Sequence, residues 1–107
     1  MEVNFEDWQN LDFRVAEILE VNDHPNADKL YIIIVKIDKE KRTIVAGIKD
    51  SYSKEDLIGK KIIVFTNIKP TTIRGIKSNG MLLATSNKDE IVLLIPDKEI
   101  DSGSKIS

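Results

Sequence analysis

Long cationic side chains are the residues of this chain best suited to doing chemistry, and they are concentrated in its middle. Lys29, Lys36, Arg42, Lys49, Lys69, Arg74 and Lys77 all fall in the block 29–77, which holds twelve basic and five acidic residues, a net charge of +7. Residues 1–28 carry one basic and eight acidic residues (−7), and residues 78–107 carry three and five (−2). The formal net charge of −2 therefore hides an uneven distribution, from which a folded chain can present a basic face to phosphates. The plainer alternative is a solvated surface with charges interspersed. Asn67, Ser78 and Asn79 add neutral donors and acceptors suited to phosphate oxygens and ribose hydroxyls. Binders of single strands stack bases on aromatic side chains, and beyond the first helix and strand only Tyr31, Tyr52 and Phe65 are available. That scarcity favours recognition of a folded RNA by backbone and shape, with Met81 or an arginine plane as candidates to pack on a base.

Catalytic readings are weak by comparison. With no cysteine and one histidine, thiolate catalysis, disulfides, zinc–thiolate sites and histidine-rich metal sites are excluded. Glu17, Glu20, Asp23 and Asp28 lie close together in sequence, but nothing around them would desolvate a carboxylate, so they read as solvated or turn-capping groups. His24 precedes Pro25 in a turn, where a local hydrogen bond is its expected role; a general base needs an oriented partner, and none is identifiable. The glycines of 75–80 have neither P-loop nor dinucleotide spacing. We therefore expect no enzymatic activity and no cofactor. No apolar run reaches 18 residues, and the first residues have neither the basic nor the apolar region of a secretory signal. The expectation is a cytoplasmic protein with no membrane partner.

A chain of 107 residues is expected to form one domain. Asn4 can cap a short helix in which Phe5, Trp8 and Leu11 form a stripe to bury. Residues 13–21 lose strict alternation, which predicts a long bent strand with a bulge. Residues 22–26 are a turn cluster, and residues 30–37 are almost all β-branched or aromatic, a strand buried on most of both faces. A polar turn at 38–41 leads into a returning strand over 42–48. Ser53-Lys54-Glu55-Asp56 resembles a capping box, with Gly59 to end a short helix. A strand over 60–67, a loop over 68–80 broken by Pro70, Gly75 and Gly80, and strands over 81–85 and 91–95 complete the order. This all-β order, with a helix between strands three and four, a short N-terminal helix and a C-terminal extension, is that of a five-stranded OB-fold barrel. A small SH3-like barrel is the competing architecture.

Four collinear blocks carry a further resemblance. Asp12-Phe13-Arg14-Val15 with His24-Pro25-Asn26-Ala27-Asp28-Lys29-Leu30, then Ile44-Val45-Ala46-Gly47-Ile48 with Tyr52, then Asn67-Ile68-Lys69-Pro70, and then residues 73–84 resemble the tRNA-binding domain family. The resemblance runs from about Asp12 to Pro96. It implies an OB barrel, a homodimer, and binding to the outer corner of the folded tRNA without strong sequence preference. The family's RNA-binding serine and methionine fall on Ser78 and Met81. The family commonly has serine where this chain has Ala46, and Lys77 adds a positive charge to the diagnostic block.

Two partner classes follow from that resemblance: tRNA, in trans to a methionyl-tRNA synthetase in the manner of a beta subunit, or unfolded and pre-export polypeptides, as for CsaA-type chaperones. A third reading is a subunit that only docks another protein. Ile91, Leu93, Ile95, Ile100 and Ile106 could cover a dimer edge or fill the core.

Overall fold

Strand β1 (Phe13–Asp23) organises the sheet, and the computed structural model, which describes residues 1–107, shows why its apolar positions do not alternate. Its first half, from Phe13 to Glu17, pairs antiparallel with one neighbour, and its second half, from Glu17 to Asp23, pairs with another; the register slips between Ile18 and Glu20. A bulge at that point adds twist and lets one strand serve two sides of a curling sheet. The neighbours are β2 (Tyr31–Ile37) and β4 (Lys61–Phe65), with β3 (Glu40–Ala46) beyond β2 and β7 (Met81–Leu82) beyond β4, in the order β3-β2-β1-β4-β7. The result is an all-β, OB-like half-barrel.

Its interior is filled from β1, β2, β3 and β4 by Ile18, Ile33, Val35, Ile44, Ile62 and Val64, all essentially without solvent exposure. Burying each such side chain contributes roughly 1.5–3 kcal/mol before the entropy of ordering the chain is subtracted. The open end is plugged by helix α2 (Lys54–Leu57) between β3 and β4, whose Leu57 joins this core. Ser53 caps it as expected, its hydroxyl accepting the Asp56 N–H at 3.2 Å, and Gly59 ends it in the left-handed region (φ 86°) while donating to the Ile18 carbonyl at the bulge. Gly80 brings the sheet's two edges together: a Cβ there would stand 3.3 Å from Val64 and 3.5 Å from Ile44.

The remaining elements wrap this sheet. β8 (Ala84–Ser86) and β9 (Ile91–Leu93) form a small hairpin, and the Ile63 N–H donates to Leu94, extending the edge of β4. The C-terminal tail runs beside the first half of β1, where Val15 exchanges bonds with Ser104 and Gly103, and the Ile106 N–H donates to the Phe13 carbonyl. Of the five apolar residues offered for a dimer edge or the core, Leu93 is in the core and Ile91 packs against it, Ile106 is half-buried, and Ile95 and Ile100 are exposed.

Two local expectations are corrected. The stripe Phe5, Trp8, Leu11 is not buried: α1 (Phe5–Gln9) has no buried residue, and Phe5 is 70% exposed. A five-residue helix is too short to lay a stripe on the barrel, and only Trp8 reaches back, stacking on Phe13, which stacks on Phe65. The loop expected over 68–80 contains a second small hairpin, β5 (Thr71–Ile73) and β6 (Ile76–Ser78).

Candidate RNA-binding face

The β5–β6 hairpin belongs to neither the main sheet nor the β8–β9 hairpin. Its ladder pairs Thr71 with Ser78, Thr72 with Lys77 and Ile73 with Ile76. The two residues at its tip, Arg74 (φ 52°) and Gly75 (φ 88°), are both left-handed, as a two-residue turn of the primed type requires. Its root is fastened to β3. The buried Ser78 hydroxyl accepts the Val45 N–H at 3.0 Å and donates to the Gly80 carbonyl at 3.2 Å, and the Asn79 N–H donates to Thr43 at 2.8 Å. The hairpin thereby covers Val45, and a small cavity of about 170 Å³ is lined by Val45, Ile68, Ile73 and Met81 together with Lys69 and Thr71.

The cations picked out by sequence divide sharply on this frame. Lys69, Arg74 and Lys77 are exposed and form no ion pair, and Lys36 on β2 is likewise exposed and unpaired. Lys36 lies across the strands from Glu17 and Lys41, away from the hairpin's own ladder. The other three are engaged. Lys29 stands 3.8 Å from Asp50, and Lys49 is 3.1 Å from Asp23, which also holds Lys54 at 3.1 Å. These bonds from Lys54 and Lys49 hold the Asp23 carboxyl below the usual carboxylate range. Arg42 has a side chain only 18% exposed; it pairs with Glu40 at 2.6 Å and donates to the Thr66 carbonyl. Arg14 is built in the same way, paired with Asp12 at 2.7 Å and donating to the Gly103 carbonyl, and it lowers the Asp12 pKa through that hydrogen bond.

The neutral residues divide too. Asn67 is a clasp: its side-chain carbonyl accepts the Asp12 N–H at 2.8 Å, and its amide donates to the Asn10 carbonyl at 2.7 Å. Ser78 has both sides of its hydroxyl occupied at the hairpin root. Met81 stands 44% exposed on the rim of the small cavity. Ala46 is buried in the core, so the hydroxyl missing at that position removes nothing from this face. The aromatic residues are committed elsewhere: Tyr31 donates its hydroxyl to the Tyr52 carbonyl, and the Tyr52 hydroxyl accepts the Leu93 N–H.

Two signals in the sequence point to this division. Asp12/Arg14 and Glu40/Arg42 are spaced i, i+2, which on a strand places both side chains on one face and invites pairing. Residues 57–88 contain no acidic residue at all, so cations there have no local partner.

A family model described as a putative tRNA binding domain matches residues 13–105, from the first residue of β1 into the C-terminal tail. The methionine–tRNA ligase of Pyrococcus horikoshii is 51% identical over 104 residues, covering 97% of this chain and 14% of that protein. The chain thus spans about a seventh of the length of such relatives. Among solved structures, a MetRS-related protein from Pyrococcus horikoshii superposes with a TM-score of 0.91 at 30% identity, each chain covered completely. The chaperone CsaA of Bacillus anthracis superposes at 0.90 with 29% identity, again over the whole of both chains. With the family model matching residues 13–105 and a relative 51% identical over 97% of the chain, the chain belongs to the tRNA-binding domain family.

Proposed function

We propose that this domain binds the outer corner of folded tRNA by backbone and shape, with the β5–β6 hairpin as its principal contact. The observation that carries this reading is the set of exposed, unpaired cations Lys69, just before the hairpin, and Arg74 and Lys77, on it, with no acidic residue near them in sequence. Neutralising phosphates releases counterions, so each contact contributes about 0.7–0.9 to the slope of log affinity against log salt. Met81 extends the contact at the edge of the small cavity, Lys36 offers a separate unpaired cation on β2, and Lys29 and Lys49 contribute once phosphate competes with Asp50 and Asp23. Arg42, Asn67 and Ser78 serve it by holding the scaffold. A titration with unfractionated tRNA at several salt concentrations tests this: binding that weakens with salt supports it, and the absence of binding at low salt rejects it.

The domain acts without catalytic groups of its own, in trans to a methionyl-tRNA synthetase in the cytoplasm, and as a homodimer. Support for the dimer comes from Val3, Phe5 and Leu11, which stand exposed around α1 with Trp8; a second copy of the chain would remove that apolar surface from water. Light scattering at micromolar concentration distinguishes the dimer from a monomer. The same exposed apolar surface favours the second reading, a CsaA-like binder of unfolded polypeptide. Peptide binding through it would persist at high salt, because apolar burial is not screened as ion pairs are.

A further inference from the structure

His24, the single histidine, follows the last residue of β1 and is 5% exposed. Its ring makes two hydrogen bonds in opposite directions. Nδ1 accepts the Asn26 N–H at 3.0 Å, so it carries no proton; Nε2 therefore bears the proton and donates to the Ile73 carbonyl at 3.1 Å. The first bond closes the turn before β2, together with the His24 N–H donating to the Leu30 carbonyl. The second crosses to the residue immediately before Arg74.

That second bond matters because of what else holds the hairpin. A sheet of two three-residue strands has little stability of its own, and here it is tied at its root through Ser78 and Asn79. No other hydrogen bond reaches residues 71–77 from outside the hairpin. Arg74 sits in the left-handed region, which costs a non-glycine residue energy and persists only where the surroundings enforce it.

We infer that His24 is a positioning residue for tRNA binding: it touches no RNA, but through the Ile73 carbonyl it fixes the hairpin tip and so aims Arg74. This rests on the reading of the hairpin as the tRNA contact.

Two conservative variants separate the two bonds. A glutamine amide reaches about as far as Nε2 and can donate to Ile73, whereas an asparagine carbonyl can take the place of Nδ1 toward Asn26 but stops short of Ile73. The experiment measures tRNA affinity for the wild type, His24→Gln, His24→Asn, Arg74→Ala and the double variant His24→Asn with Arg74→Ala, alongside amide hydrogen exchange of residues 73–76. Expected are a loss of about three- to tenfold in affinity and faster exchange at the tip for His24→Asn, with both largely restored in His24→Gln. In the Arg74→Ala background His24→Asn should cost less than twofold, because its effect passes through that arginine. Equal affinities for the two His24 variants, or full additivity with Arg74→Ala, would overturn the inference. If the wild type binds no tRNA, the parent reading fails, and exchange alone decides the tether: tips that exchange equally in His24→Asn and His24→Gln reject it.

Discussion

Arg42 on β3 and Arg74 on the β5–β6 hairpin carry the same guanidinium under opposite conditions. Around Arg42, and around Arg14 at the same end of the barrel, each guanidinium is matched with a carboxylate two residues earlier and then spent on a backbone carbonyl from a distant segment, Thr66 or Gly103. Around Arg74 nothing is matched: the side chain is exposed, unpaired and carried on a backbone that only a tight turn explains. A cation with its hydrogen bonds already filled offers a ligand little, because the ligand must first displace them. The barrel end uses its arginines to bind the chain to itself, and the hairpin leaves its cations exposed and unpaired.

The difference can be broken from either side. The largest effect on stability is expected at the barrel end. Arg42→Ala leaves the Thr66 carbonyl without that donor and should cost about 1–3 kcal/mol, lowering the melting temperature by roughly 4–8 °C per kcal/mol in a domain of this size. Thermal unfolding measures it, and the salt slope of tRNA binding should stay at its wild-type value. Arg74→Ala should do the reverse. Its stability should change by no more than about 0.5 kcal/mol, while the log–log salt slope falls by about 0.7–0.9.

Smaller effects sharpen the boundary between the two regions. Asp23→Asn releases Lys49 and Lys54 from their shared carboxylate, so tRNA binding should tighten slightly at low salt and the advantage should vanish at high salt. Acid titration probes the barrel end. The Asp12 pKa is lowered from 3.8 by its bond to Arg14, so its contribution to stability is fully present above that value and is lost as pH falls through the folded value. Asp12→Asn should therefore flatten the acid limb of the stability curve below about pH 4 while leaving tRNA binding at neutral pH unchanged.

Much of the scaffold was legible because local chemistry and packing agree there. The doubled apolar positions of β1 announced its bulge, Ser53 announced the cap of α2, and the β-branched run after Leu30 became β2. The hairpin was hidden for a physical reason. Two-residue primed turns are usually marked by Asn-Gly or Asp-Gly, and here an arginine occupies the first left-handed position, so Pro70 and the two glycines dominate the pattern. The exposed aromatic side chains of α1 misled in the other direction, since apolar spacing says which residues want covering but not whether this chain supplies the cover. Among the site residues, cationic type alone could not separate Lys69, Arg74 and Lys77 from Arg42 or Lys49. For Arg42 the i, i+2 spacing from Glu40 held the answer. For Lys49, in a turn after β3, nothing local did, because Asp23 comes from the end of β1. The role of His24 divides likewise: its bond to Asn26 could be expected of a turn, and its bond to Ile73 joins segments 49 residues apart in sequence.

One measurement bears most directly on the separation of scaffold cations from binding cations. The salt dependence of tRNA affinity should be determined for the wild type, for Lys69→Ala with Arg74→Ala and Lys77→Ala together, and for Arg14→Lys with Arg42→Lys. The triple variant should lose about 2 to 3 units of log–log slope, and the barrel-end variant should keep the wild-type slope even if it melts earlier. A triple variant with an unchanged slope, or a barrel-end variant that loses as much, would contradict the account.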